Sequence, residues 1–155
     1  MWSNKNSIIL SICVCVFLIA ALLVLICCGP MLFKLYMTAY RGFDADGEAI
    51  VRIGEIFAWC FYPSSVFASV ILCSLIKLLF NIKAGDVFVV QTVKIFKIVS
   101  WCCFAIALIT LVGGFFYLPF FAIAAAGAFT GMLLRVLKNV MESAVELRAE
   151  NDLTI

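Results

Sequence analysis

The sequence predicts an all-α integral membrane protein: a four-helix bundle whose last helix extends into an amphipathic cytosolic tail. Composition is the first reason. Of the 155 residues, 66% are hydrophobic and 13% charged, and mean hydropathy is +1.22. A soluble domain is nearer half apolar and a quarter charged, and a chain this short cannot hide the excess in a core. The second reason is the run from Ile98 to Leu134, which carries no charged side chain. At ~1.5 Å per residue it would make a rod of about 55 Å, against a bilayer core of ~30 Å. It is too long for one crossing and suits two. The third reason is the break inside that run, Gly113-Gly114 followed shortly by Pro119, which makes it a helical hairpin with an uncharged turn.

Taken in order, the chain reads as one membrane domain over 1–155, with transmembrane helices at about 8–28, 56–76, 95–113 and 119–137. The first apolar run follows Lys5. It exceeds the h-region of a signal peptide, and no A-x-A site follows it. Gly29-Pro30 is expected to end or kink that helix. An outside loop, 34–55, comes next, with Phe33, Tyr36 and Tyr40 at headgroup depth. Asp44, Asp46 and Glu48 alternate there as in calcium loops, but the rest of an EF-hand pattern is missing. The expectation is a solvated acidic turn.

The second span carries Trp59 and Tyr62 near its start and Pro63 within it. Ser65 and Ser69 have the small-xxx-small spacing that lets another helix approach. An inside loop, 77–94, leads to the third span through Lys94 and Lys97. The fourth span carries Gly127-x-x-x-Gly131. That motif allows two readings, packing within the chain or a homodimer seam, so a homo-oligomer stays open. The tail, 138–155, continues a stripe of Leu133, Leu137, Val140, Ala144 and Leu147 at helical spacing. With Lys94 and Lys97 it forms a candidate partner surface.

Cations set the orientation. Lys5, Lys77, Lys83, Lys94, Lys97, Arg135, Lys138 and Arg148 fall on one side, and Lys34, Arg41 and Arg52 on the other. The positive-inside rule then places both termini in the cytoplasm of a multi-pass cell-membrane protein.

The chemistry that the chain lacks is also informative. There is no His, and none of the expected spans holds an ionisable residue. Proton-coupled transport and intramembrane acid–base work usually need such groups. Thr110, Thr130, Ser65, Ser69 and Ser74 are expected to hydrogen-bond across helices. The eight Cys lie in apolar runs without any C-x-x-C, so they read as small hydrophobes packed between helices. A disulfide from Cys60 to Cys27 or Cys28 is the minor alternative. No catalytic residue, cofactor or metal is expected. A net charge of +2 gives no reason for direct nucleic-acid binding.

Two stretches carry a family resemblance: Gly85-Asp86-Val87-Phe88 running into Val93-Lys94-Ile95-Phe96-Lys97, and the close Glu150-Asn151-Asp152-Leu153-Thr154-Ile155. On these the chain resembles the YoaS-like family of uncharacterised bacterial membrane proteins (domain of unknown function 2975). It departs at Val89-Val90-Gln91-Thr92, where the family is more polar. The resemblance implies four spanning helices, no assigned enzyme activity, and a small cytosolic helix-turn-helix regulator as partner. The functional expectation is a non-catalytic inner-membrane protein, regulatory or scaffolding through its cytosolic loop and tail. The alternative is a small oligomeric transporter or channel component lined by Ser, Thr and Gly. A weaker third is a lipid-modifying enzyme using Asp44, Asp46 and Glu48.

Overall fold

The computed structural model describes residues 4–41, 47–84 and 90–152. They form four helices: α1 (Asn4–Arg41), α2 (Glu48–Ala84), α3 (Val90–Gly114) and α4 (Pro119–Asp152). All four are long and apolar enough to cross a membrane. The helices pack in chain order, α1 on α2, α2 on α3 and α3 on α4. The α1–α2 and α3–α4 connections share one end of the bundle, here the hairpin end. The α2–α3 connection and the close of α4 lie at the other, the tail end.

The helices outrun the apolar stretches that define them. α1 continues through Gly29-Pro30 to Arg41, and α2 runs through Pro63 to Ala84. Within the expected loops 34–55 and 77–94, residues 34–41, 48–55, 77–84 and 90–94 are helical. The physical reason is that hydropathy marks where lipid ends and not where a helix ends. The backbone stays hydrogen-bonded into water until a turn residue intervenes. Proline is tolerated inside a spanning helix because neighbouring helices support the broken turn. Gly29 does not end α1 but leaves a notch: a Cβ there would lie 3.2 Å from the Phe61 ring of α2.

The 115–118 turn carries exposed apolar side chains and no charge. Phe115, Phe116 and Leu118 are exposed, so the backbone must satisfy itself. The amides of Phe116 and Tyr117 donate to the carbonyl of Gly113, both at 3.0 Å. Those of Phe120 and Phe121 donate back to Tyr117 and Leu118, at 3.0 and 3.1 Å. Pro119, first in α4, has no amide to satisfy. An unpaired backbone group in hydrocarbon costs several kcal/mol, so this closure is required for a lipid-exposed turn.

The core follows from two seams. At the hairpin end aromatic rings join the helices. Phe33 of α1 stacks on Phe57 of α2 at 4.3 Å, and Phe57 lies 6.3 Å from Phe120 of α4. Phe33 also meets Tyr117 edge-on at 6.5 Å. Toward the tail end Ile95, Val99 and Cys103 of α3 are buried against Ile71 and Leu78 of α2 and Leu134 of α4. α3, flanked on two sides, is the most buried helix. α1, packed on α2, turns Phe17, Leu23 and Val24 outward. Such a surface suits lipid and not water.

The glycines at these seams differ in how much room they have. A Cβ on Gly113 would stand 2.6 Å from Cys60 Sγ and 3.1 Å from the Phe120 ring. On Gly127 it would meet Ala107 Cβ at an ordinary 3.4 Å. Gly113→Ala is therefore expected to destabilise the fold by about 1–3 kcal/mol, the usual cost of overpacking, and Gly127→Ala to change it little. Adding Cys60→Ala should recover part of the Gly113→Ala loss. Thermal unfolding in detergent checks the order; equal effects at the two glycines would contradict it.

Candidate functional site

The α3–α4 seam holds most of the structure's specific chemistry. Along α4 the inward residues are Phe120, Ala124, Gly127, Gly131, Leu134, Lys138, Met141 and Val145, stepping by four and three. Gly127 sits on Ala107 and close to the Cys103 carbonyl, and Gly131 on Cys103 and the Phe104 ring. The GxxxG pair thus serves contact within the chain. At Gly131 the approach allows a bond between helices: Ser100 Oγ, 1% exposed, donates to the Gly131 carbonyl at 2.8 Å.

The predicted helix-crossing hydroxyls behave otherwise. Ser65 Oγ donates to the Tyr62 carbonyl and Ser69 Oγ to that of Ser65. Thr110 bonds to Ile106 and Ala107, and Thr130 to Ala126. Each turns back on its own helix, the usual local alternative for Ser and Thr. Ser100, which the sequence reading passed over, is the residue that crosses. No sequence signal marks it: what sets it apart is that its turn of α3 faces Gly131.

The candidate partner surface is also redrawn. Lys94 and Lys97 are exposed on the first turns of α3. Leu137, Val140 and Leu147 are 49%, 60% and 64% exposed, and Ala144 is half-buried. The packed face runs one residue further, through Leu134, Lys138, Met141 and Val145. The glycines set this phase, because the closest approach must fall on the smallest residues. The larger leucine and valine side chains are left on the flank. Lys138, on the packed face, reaches back out and pairs with Glu142.

Beside the seam runs a groove. Trp101, Phe104, Leu108 and Leu111 line its α3 wall, and Phe121, Ala125 and Ala128 its α4 wall. Its volume is about 740 Å³ and its lining almost wholly apolar. Toward the tail end the same seam opens into a pocket of about 140 Å³ among Lys97, Ser100, Arg135, Lys138 and Asn139. The guanidinium of Arg135 lies 5.4 Å from the Trp101 ring centroid, between the two.

The cysteines do not pair. All eight are free thiols. Cys60 faces α3, with its Sγ 3.9 Å from the Ile109 carbonyl, and Cys27 and Cys28 lie exposed on α1. Four of the eight, Cys13, Cys27, Cys28 and Cys73, lie on the outer surface and not between helices. A thiol is apolar enough to face lipid. Among the described residues no group of three or more His, Cys, Asp or Glu side chains could hold a metal. Asp44 and Asp46 of the acidic turn lie outside the described residues, and Glu48 caps the positive N-terminal end of α2.

Four apolar helices, a lipid-facing turn and an exposed apolar perimeter define a multi-pass helical membrane protein. The chain belongs to the family described as Protein of unknown function (DUF2975), whose model matches residues 45–155. That span takes in α2, α3 and α4. Neither the curated proteins nor the solved structures contain a match.

Ser100→Ala should loosen the α3–α4 seam by about 0.6–1.7 kcal/mol, the measured range for hydrogen bonds between membrane helices. Thr130→Ala, which loses only a bond within its own helix, should cost less. A comparison of the two by unfolding in detergent would show equal losses if the Ser100–Gly131 bond contributes nothing.

Proposed function

We propose that this is a non-catalytic protein of the bacterial inner membrane that holds a cytosolic partner on the exposed flank of the last turns of α4. The observation that carries the reading is the length of that helix. α4 stays helical to Asp152, far past the last residue of its apolar run, Leu134. Beyond Arg135 it rises about 25 Å at ~1.5 Å per residue, while α2 ends at Ala84 and α3 starts at Val90. It packs on α3 as far as Val145, and its flank presents Leu137, Val140 and Leu147 as an exposed apolar stripe. An exposed apolar stripe in water, beside charged neighbours, is the usual groove-binding face of a helix.

The orientation rests on charge. Lys77, Lys83, Lys94, Lys97, Arg135, Lys138 and Arg148 all belong to the tail end, and the described cations of the hairpin end are Lys34, Arg41 and Arg52. The positive-inside rule turns the tail end to the cytoplasm. The family resemblance suggests the partner, a small helix-turn-helix regulator, which reads DNA itself and needs the membrane protein only as an anchor.

Two measurements test this. A green fluorescent protein fused after Ile155 should fluoresce, and alkaline phosphatase fused there should be inactive; the reverse pair would invert the topology. Membranes carrying the full chain should retain a co-expressed regulator of this type, and the triple variant Leu137→Glu, Val140→Glu, Leu147→Glu should release it. Equal retention by both would overturn the docking role.

A further inference from the structure

The groove along the α3–α4 seam and the cationic pocket toward the tail end are two depressions that meet where the Arg135 guanidinium stands over the Trp101 ring. On α3, Lys97, Trp101, Phe104, Leu108 and Leu111 step by four and three, so they share a helix face. On α4, Phe121, Ala125 and Ala128 share a face with Arg135 and Asn139 in the same way. The apolar walls and the basic residues therefore lie along the same two helix faces. From Lys97 to Leu111 the feature runs about 21 Å along α3 at ~1.5 Å per residue, somewhat more than one leaflet of a ~30 Å hydrocarbon core.

We propose that this feature is a binding site for one anionic phospholipid, with its phosphate among Lys97, Arg135 and Lys138 and an acyl chain laid in the groove. Charge complementarity selects the occupant. The lining of the basic pocket contains three cations, an amide and a hydroxyl, and no carboxylate. Lys138 is already paired with Glu142, but among the described residues no carboxylate pairs with Lys97 or Arg135. Stacking on Trp101 holds the Arg135 guanidinium at the mouth, where its remaining N–H groups are free to donate to phosphate oxygens in a bidentate fork. Basic pockets between membrane helices on the cytoplasmic side suit such headgroups.

The apolar part explains why the ligand is a lipid and not a free anion. The α4 wall is low at Ala125 and Ala128, and the α3 wall is high at Phe104 and Leu108. A volume of about 740 Å³ falls within the ~300–1,000 Å³ of sites that enclose small ligands. A flexible chain fills such a trough, whereas a zwitterionic lipid would leave the extra cations unneutralised. A second copy of this protein would do the same unless it brought a carboxylate.

Native mass spectrometry of the full chain, released from nanodiscs of equal phosphatidylglycerol and phosphatidylcholine, tests the proposal. One phosphatidylglycerol should be retained in preference, on the order of tenfold, as expected for two interfacial cations. Lys97→Gln with Arg135→Gln should remove the preference, and Arg135→Lys, which keeps the charge, should retain most of it. Ala125→Trp should reduce retention of phosphatidylglycerol by blocking the trough, with the helix content of each variant checked by circular dichroism. Should the double Gln variant misfold, the comparison of Arg135→Lys with Arg135→Gln decides the same point. No preference in the wild type, or one that survives the loss of charge, would overturn the proposal. So would displacement by millimolar inorganic phosphate with no effect of Ala125→Trp, which marks a free-anion site. A loss of dimer in Ala125→Trp with lipid retention unchanged would assign the groove to a second copy and overturn it too.

Discussion

The close approach of α4 to α3 at Gly127 and Gly131 is the contact on which the rest of the structure depends. In lipid there is no hydrophobic gain from bringing two apolar helices together, because the lipid tails are as apolar as leucine. Association must come from dispersion at short range and from hydrogen bonds that water does not contest. Gly131, where a Cβ would press on the Phe104 ring at 3.2 Å, supplies the short range, and Gly127 and Ala107 flank it at ordinary contact distance. That approach places the Gly131 carbonyl within reach of a buried hydroxyl, Ser100, and so adds the second term. The phase the glycines impose then decides what every other side chain of α4 faces.

That phase explains the tail. With the glycines turned inward, Leu134, Met141 and Val145 follow them onto α3, and Leu137, Val140 and Leu147 are left outside. It also explains the groove. The residues next to the glycine face on α4 are alanines, and their small size opens a trough beside the seam. Arg135, on the same face of α4 as those alanines, stands over Trp101 at the tail end of the trough. A packing contact, an exposed stripe and a lipid-shaped depression thus share one geometric origin.

The hairpin end is held differently. There the rings of Phe33, Phe57, Phe120 and Tyr117 link three helices and the turn between α3 and α4. Aromatic side chains reach further than aliphatic ones and prefer stacked or edge-on contacts. They join helices whose backbones need not approach closely. Gly113 and Cys60 fill the space beneath them, with no room for a further methyl group. One end of the bundle is therefore joined by large side chains and the middle by the absence of any.

Much of this was legible in the residues alone. Hydropathy decided the number of helices, because a charge in hydrocarbon is costly and a 37-residue α2 can be recognised by the uncharged stretch at its centre. The turn at 115–118 was readable from Gly113-Gly114 and Pro119. The helix ends were not, since polarity marks water and a helix does not need lipid. Nor were the partners of the hydroxyls. Ser65 and Thr130 look like Ser100 in sequence, and only the position of a neighbouring helix decides whether a hydroxyl bonds across or back on its own turn. Rotation of α4 lay beyond the sequence for the same reason. The stripe at Leu137 and the face at Leu134 differ by one residue, and what chose between them was where two glycines could let a second backbone come near.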